Sequence, residues 1–269
     1  MKLVRDIASL RAAAAALGPL AFVPTMGNLH AGHVSLVRLA RRRAGAVAVS
    51  LFVNRLQFSP SEDFERYPRS FDEDRHLLEA EGVELLFAPA ESVLYPRPQS
   101  FIVHPGALGA DLEGRFRPGF FDGVATVVLK LFNAVRPVAA VFGKKDYQQL
   151  AVVREMVRQL DLAIEIVAGE TAREPDGLAM SSRNAYLSPA ERAEAPRLHR
   201  VLHEVTVKKV TPEQAMRQLA AAGWKPDYVE VRRRSDLAPP QDAERESGEL
   251  VVLGAARLGG TRLIDNLEF

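Results

Sequence analysis

The chain is expected to fold as an α/β protein: a doubly wound, mainly parallel sheet covered by helices on both faces, followed by a second, smaller α+β domain. Three observations carry that expectation. Short apolar, β-branched runs alternate with amphipathic stretches between residues 20 and 169. From about residue 171 that rhythm gives way to a polar loop, two helical stretches and three short strands. The composition, 47% hydrophobic and 26% charged over 269 residues, is that of a globular protein. A chain of this length buries roughly 70–75% of its unfolded surface.

The strands of the first part are expected at 20–24, 46–53, 83–88, 139–142 and 164–167, each a brief run of aliphatic residues bounded by polar ones or glycine. The helices between them are expected at 33–43, 72–80, 124–135 and 148–160, where apolar residues recur at helical spacing. Alanine-rich residues 12–16 read as helix. In the second part, helices are expected at 189–205 and 212–222, and strands at 228–232, 250–255 and 262–264. The polar, proline-containing stretch 239–248 reads as a surface loop. This divides the chain into domains 1–171 and 172–269, and no internal repeat is present. Ligands of such sheets bind beyond the carboxyl ends of the strands.

Composition excludes several chemistries. With no cysteine there is no disulfide framework, thiolate zinc site, iron–sulfur cluster or cysteine nucleophile. Thirty-five basic residues against 34 acidic ones leave a formal charge of +1, so no global field draws a polyanion. The arginine runs 41–43 and 232–234 carry no aromatic stacking motif and read as solvated surface rather than a nucleic-acid site. The apolar stretch 12–23 is preceded by Asp6 and Arg11 and split by Gly18-Pro19, which argues against a signal peptide and for a cytoplasmic protein without a membrane span. His199 and His203, four apart on an expected helix, are too few for a metal centre.

Three stretches carry chemistry. Pro24-Thr25-Met26-Gly27-Asn28-Leu29-His30-Ala31-Gly32-His33 leaves an apolar strand and enters a helix. There the free N–H groups and the positive helix end favour an anion, and Gly32 leaves room for a phosphate. This His-x-Gly-His pattern resembles the nucleotide-binding signature of the nucleotidyltransferase superfamily that includes class I aminoacyl-tRNA synthetases. Gly143-Lys144-Lys145-Asp146-Tyr147-Gln148-Gln149 also follows an apolar strand and is no Walker motif. It suits contact with phosphate through lysine and with ribose through aspartate, or else is a solvated helix start. Met180-Ser181-Ser182-Arg183-Asn184 suits a mobile phosphate clamp, or else is a polar turn.

Taken in order, these stretches resemble the pantothenate synthetase (pantoate–β-alanine ligase) family. So do Phe52-Val53-Asn54 with Gln57-Phe58, Glu62-Asp63 with Tyr67-Pro68-Arg69, Leu112-Glu113-Gly114 with Arg117-Pro118-Gly119, residues 126–133 and Leu263-Ile264-Asp265-Asn266. The resemblance implies a Rossmann-like first domain, a C-terminal lid domain carrying the 180–183 loop, and an active site between them. It implies condensation of pantoate with β-alanine through a pantoyl adenylate, with ATP split to AMP and pyrophosphate, magnesium as cofactor and a homodimeric assembly. By resemblance, Met26, Gly27, Asn28, Leu29, His30, Ala31, Gly32 and His33 line the ATP site. His33 is then the proton donor, with His30 beside it on the phosphates. Lys145 is the main cation, with Lys144 next to it, Asp146 on the ribose and Gly143 allowing close approach. Ala172 meets adenine through its backbone, and Met180, Ser181, Ser182 and Arg183 close over the phosphates. Gln57 and Gln149 hold pantoate. The acidic run Asp72-Glu73-Asp74 reads as helix-start carboxylates favoured by the dipole, with assistance to magnesium as the alternative. Three positions depart from the family pattern: Arg55 stands where proline is usual, Lys144 where glutamate is, and Phe120 where histidine is. Each is expected to perturb a neighbouring site residue.

Overall fold

The structure is a computed structural model that describes residues 1–59, 62–241, 244 and 248–269. Its strands are β1 (Lys2–Val4), β2 (Leu20–Thr25), β3 (Ala46–Leu51), β4 (Leu85–Phe87), β5 (Ala139–Gly143), β6 (Glu165–Gly169), β7 (Lys225–Arg233), β8 (Leu250–Leu258) and β9 (Thr261–Glu268). Helices α1 (Ile7–Leu17), α2 (Ala31–Arg41), α3 (Phe71–Ala80), α4 (Glu91–Leu94), α5 (Ala107–Ala110), α6 (Glu113–Phe116) and α7 (Phe120–Val135) lie between β1 and β5. After β5 come α8 (Tyr147–Gln159), α9 (Pro189–Glu194), α10 (Arg197–Thr206) and α11 (Pro212–Ala221). The chain forms two compact units, Met1–Lys144 with Val152–Glu170, and Lys145–Ala151 with Thr171–Phe269.

In the first unit six strands pair in the order β1-β4-β3-β2-β5-β6, every described pairing parallel. The chain enters the middle of the sheet at β2, winds outward through β3 and β4, then crosses back to β5 and β6. The direction of winding therefore reverses between β2 and β5, and the carboxyl ends of those two strands flank the switch point. Alternate residues cover opposite faces. Ala21, Val23, Val47, Val49, Val141 and Val167 pack with Val37 and Ala40 of α2 and Leu78 of α3. On the other face Phe142 of β5 meets Phe132 of α7, ring centroids 6.3 Å apart. Helix α7 is apolar almost all round and correspondingly buried. The doubly wound α/β expectation holds. Strand β1 was not expected, because three residues bounded by charges give no periodicity to read.

The second unit pairs β7, β8 and β9 antiparallel. Gly259 and Gly260 form the two-residue turn of the β8–β9 hairpin, with Gly259 at a φ of 55°. Leu198, Val201, Leu202 and Val205 repeat at helical spacing along α10 and pack on Trp224, Val229, Val252 and Ala256. The single helix expected over 189–205 is two. Pro196, which has no N–H to donate, caps a new helix where α9 ends. The strands run longer than expected because the antiparallel ladder continues through charged residues such as Lys225, Arg233, Arg257 and Glu268. Part of the stretch 239–248, expected as a surface loop, lies outside the described residues.

One buried ion pair holds this unit's polar centre. Arg173 donates from Nη1 to Asp265 Oδ2 at 2.7 Å and from Nη2 to Oδ1 at 2.9 Å, and also reaches the carbonyls of Gly177 and Asn266. His199 Nδ1 lies 3.5 Å from the same carboxylate. Burial opposes ionisation of Asp265, but His199 and Arg173 outweigh it and hold the carboxyl below its ordinary value of 3.8. A carboxyl held low in the folded state stabilises the fold at every pH above its unfolded value. That contribution is lost as the pH falls through the folded value. Asp265→Ala is therefore expected to lower the unfolding free energy by about 3–5 kcal/mol at neutral pH. Urea denaturation should show the gap from the unaltered chain closing as the pH is taken below 3.8.

Candidate active site

Strand β2 delivers the chain to a loop that is bound down atom by atom. Thr25 Oγ1 donates to Ser50 O at 2.8 Å and accepts from Gly27 N–H at 3.2 Å. Gly27 has a φ of 86°, and a Cβ there would lie 3.0 Å from Asp74 Oδ2, so a side chain would be strained in conformation and tight against the carboxylate. Asn28, at a φ of 51°, donates its N–H to Asp74 Oδ2 at 2.8 Å. Leu29 donates to Asp74 Oδ1 at 2.7 Å, and Ser70 Oγ donates to that same oxygen at 3.1 Å. The Asp74 side chain, in the first turn of α3 and 3% exposed, thus braces the loop from behind.

The loop ends in a capping box made of imidazoles. His30 is the N-cap of α2 and accepts from Gly32 N–H through Nδ1 at 3.2 Å; His33 Nδ1 accepts in turn from His30 N–H at 3.2 Å. Serine and glutamate usually fill these two roles. Because each Nδ1 accepts a backbone proton, each neutral ring carries its own proton on Nε2 and can only donate there. The ring centroids are 4.1 Å apart. No acidic residue occupies the first turn of α2, so nothing within the helix offsets its positive end.

Beside the loop, Gln57 lies on a 3₁₀ turn, Arg55–Gln57, that follows β3. Its Nε2 donates to Met26 Sδ at 3.2 Å, which joins it to the loop after β2. Arg117 Nη2 donates to the Gln57 carbonyl at 3.3 Å, while Arg117 Nε donates to Glu62 Oε1 at 2.6 Å.

At the end of β5, the space around Gly143 would accept a Cβ, whose nearest contact is Leu36 Cδ1 at 3.8 Å. No packing within the fold therefore requires glycine there. Lys144 Nζ lies 2.7 Å from Glu170 Oε1. In the second unit, Lys145 Nζ is 3.6 Å from Asp146 Oδ1, and Asn266 Nδ2 donates to the Lys145 carbonyl at 3.0 Å. Tyr147 OH donates to Glu268 Oε1 at 2.8 Å, so β9 holds this segment at two points. Burial, then the Glu268 carboxylate, push the Tyr147 phenol up to about 12. Gln148 is buried and Gln149 half-buried. Ala172 and Met180 are brought together, Met180 N–H donating to Ala172 O at 2.9 Å, with Arg173 bridged to Ala179 between them. Ser181 caps the 3₁₀ turn Ser182–Tyr186 by accepting from Arg183 N–H at 3.3 Å.

The three departures are absorbed locally. The exposed Arg55 pairs with Glu65 and Glu91 and lies 3.9 Å from the Phe64 ring centroid, and the turn before Gln57 stays closed. The charge of Lys144 is met by Glu170. The Phe120 ring lies 3.6 Å beneath the Arg117 guanidinium, a cation–π contact under the arginine that holds the Gln57 carbonyl.

Three residues outside the expected set shape these groups, Tyr95 by donating to Asn54 Oδ1 at 2.8 Å, Arg173 and Asn266, and so does Asp74 in a role other than those weighed from sequence. Asp74 sits in an acidic run whose position in sequence explains it equally well by dipole, and its partners 45 and 46 residues away leave no local trace. Among the described residues, no group of three or more His, Asp or Glu side chains comes together to hold a metal ion. The carboxylate of Asp74 accepts from two backbone N–H groups of the loop.

Comparison with known proteins places these residues in a family context. The family profile of the Pantoate-beta-alanine ligases matches residues 2–268. A pantothenate synthetase of Nitrosospira multiformis is 56% identical over 276 residues, covering 100% of this chain and 98% of that protein. A crystal structure of pantothenate synthetase from Thermus thermophilus superposes with a TM-score of 0.92 at 46% identity, covering 100% of this chain and 99% of the other. The Francisella tularensis pantoate-beta-alanine ligase, crystallised with β,γ-ATP and β-alanine, superposes with a TM-score of 0.87 at 30% identity, covering 100% and 97%.

The bracing role of Asp74 has a direct readout. Asp74→Asn keeps the shape but turns one acceptor into a donor facing a backbone N–H, an unfavourable change of about 1–3 kcal/mol. Amide hydrogen exchange at Asn28 and Leu29 is expected to accelerate by about tenfold or more, while amides of the β2 ladder keep their protection.

Proposed function

This chain belongs to the pantoate-beta-alanine ligase family, and from that membership we propose how its own residues join pantoate to β-alanine with ATP. The family's reaction is an acid–amine ligation, and a free carboxylate does not acylate an amine without activation. Transfer of AMP to the pantoate carboxylate supplies that activation: the carboxylate oxygen attacks the α-phosphorus, the bond to pyrophosphate breaks, and a pantoyl adenylate forms. The β-alanine amine then attacks the acyl carbon, AMP leaves, and the amine loses a proton.

The observation that carries the reading is the pair of Nε2–H imidazoles on the N-terminus of α2, at the sheet's switch point. As charge grows on the phosphoryl oxygens and the departing pyrophosphate, fixed donors lower the barrier without reorganising. His33 is assigned the principal donor role and His30 the adjacent phosphate contact. Lys145 is the main cation, Lys144 lies next to it and Asp146 takes the ribose. Gly143 leaves room for the nucleotide, and Met26, Gly27, Asn28, Leu29, Ala31 and Gly32 line the loop. Ala172 takes adenine through its backbone, and Met180, Ser181, Ser182 and Arg183 form the clamp that excludes water from a hydrolysable mixed anhydride. The hydrogen bond between Ala172 and Met180 supports treating those two as one element. Gln57 and Gln149 hold pantoate, with neutral amides that orient the nucleophile without over-stabilising its charge. Residues 172–269 act as the lid domain.

Magnesium is assigned to the substrate. The described side chains form no cage for it, and a hard cation is met by nucleotide phosphates and water. No described helix is long and apolar enough to cross a membrane. The reading extends, on family membership alone, to a homodimer working in the cytoplasm without nucleic-acid or membrane partners. Light scattering is expected to give twice 29.6 kDa.

The assay is two-stage. With ATP, magnesium and pantoate, pyrophosphate release is expected to depend on pantoate; AMP release should follow only when β-alanine is added. ATP binding with neither release would sink the assignment. His33→Ala is expected to slow adenylate formation by about 100-fold or more while the chain stays folded. The lost capping bond itself costs only about 1 kcal/mol. Near-normal turnover in that variant would refute the role.

A further inference from the structure

The orientation of the Gln57 amide can be worked out from a backbone carbonyl that lies far from it in sequence. The turn carrying Gln57 is pressed on α7 at Gly123, where a Cβ would meet Leu56 O at 2.3 Å and Gln57 N at 2.7 Å. That close approach puts the Gly123 carbonyl 3.1 Å from the Asn54 side-chain amide. A carbonyl only accepts, so the Asn54 atom facing it is Nδ2. Asn54 Oδ1 then faces Tyr95, whose hydroxyl lies 2.8 Å away and must donate. The remaining Nδ2 proton goes to Gln57 at 3.1 Å, and the Gln57 atom receiving it must be Oε1. The Gln57 carbonyl is thereby turned inward. Its Nε2 points the other way, to Met26 Sδ at 3.2 Å, a weak acceptor that a ligand oxygen would outcompete.

The opposite polarity is disfavoured at each step. It would set Asn54 Oδ1 against the Gly123 carbonyl, two acceptors in contact, at a side chain only 1% exposed. Tyr95 is well placed to hold the observed one. Its ring is 6.1 Å from that of Phe52, and Lys130 Nζ lies 4.8 Å from its centroid. Burial, and after it the Glu91 carboxylate, push the Tyr95 phenol above its ordinary value, so its proton stays on and donates.

We propose that Tyr95, acting through Asn54, is a positioning residue that locks the Gln57 amide so that it offers N–H donors and no acceptor to the acid substrate. This selects a substrate presenting a carboxylate or another acceptor oxygen at that point. It rests on the reading of Gln57 as a pantoate contact.

Steady-state kinetics on Tyr95→Phe, Gln57→Ala and the double variant test it, varying pantoate and ATP separately. Tyr95→Phe is expected to raise the KM for pantoate by about 5- to 10-fold and to leave the KM for ATP within about twofold. In the Gln57→Ala background the same substitution should add no further increase, because its effect passes through the missing amide. Asn54→Asp, which cannot donate to Gln57, should raise the pantoate KM by about tenfold or more. The relay is overturned if Tyr95→Phe leaves the pantoate KM unchanged, moves the ATP KM equally, or acts undiminished without Gln57. If Gln57→Ala itself leaves the pantoate KM unchanged, the reading of Gln57 falls, and the relay with it.

Discussion

Strand β2 is paired on both sides, by β3 through residues 20–25 and by β5, and the chain winds away from it in opposite directions. Everything at the carboxyl edge of the first unit follows from that constraint. A doubly paired strand in an apolar sheet has no freedom to slide, since a shift of one residue would move Ala21 and Val23 from one face to the other. The loop after β2 therefore begins at a fixed point beside the end of β5. Helix α2 must start close to it, presenting its positive end at the edge. The site is a consequence of strand order first and of side-chain identity second.

Holding a loop in that place is a problem of backbone hydrogen bonding, and here acidic side chains solve it. Asp74 takes the N–H groups of Asn28 and Leu29; Glu84 takes Val47 N–H at 2.7 Å and pairs with Arg41; Glu62 takes Ser59 N–H and pairs with Arg117. Each is a carboxylate whose acceptors are met by fixed donors, and for Asp74, 3% exposed, that is the condition under which a buried charge is tolerated. The arginine runs are similarly engaged: Arg41, Arg43, Arg232, Arg233 and Arg234 each face a carboxylate.

The same economy explains why three unusual residues leave the site geometry in place. A lysine at position 144 adds a charge, and Glu170 meets it. A phenylalanine at 120 removes a polar ring but gives Arg117 a π-face, keeping that guanidinium aimed at Glu62 and the Gln57 carbonyl. An arginine at 55 turns outward to two glutamates, while the turn behind it is closed by its own backbone bonds. In each case the perturbation falls on an exposed or half-buried side chain whose partners can be supplied nearby.

The sequence by itself determined the α/β class, the alternation of strand and helix, the smaller α+β part and the family. Apolar periodicity and short ordered motifs are local properties, and local physics suffices to read them. It also located His30 and His33, because a strand, glycines and a helix start follow one another within a few residues. It could not show that the two imidazoles cap the helix with Nδ1 and so carry their protons on Nε2, nor that Asp74 supports the loop. It could not show that Gly123 and Tyr95 orient Gln57, or that Asn266 holds the Lys145 carbonyl. Apart from the imidazole caps, those are pairings between residues tens of positions apart, and each depends on an acceptor lying within about 3 Å of a donor. Only packing of the finished fold brings such atoms together, so only the tertiary structure decided which way each proton points.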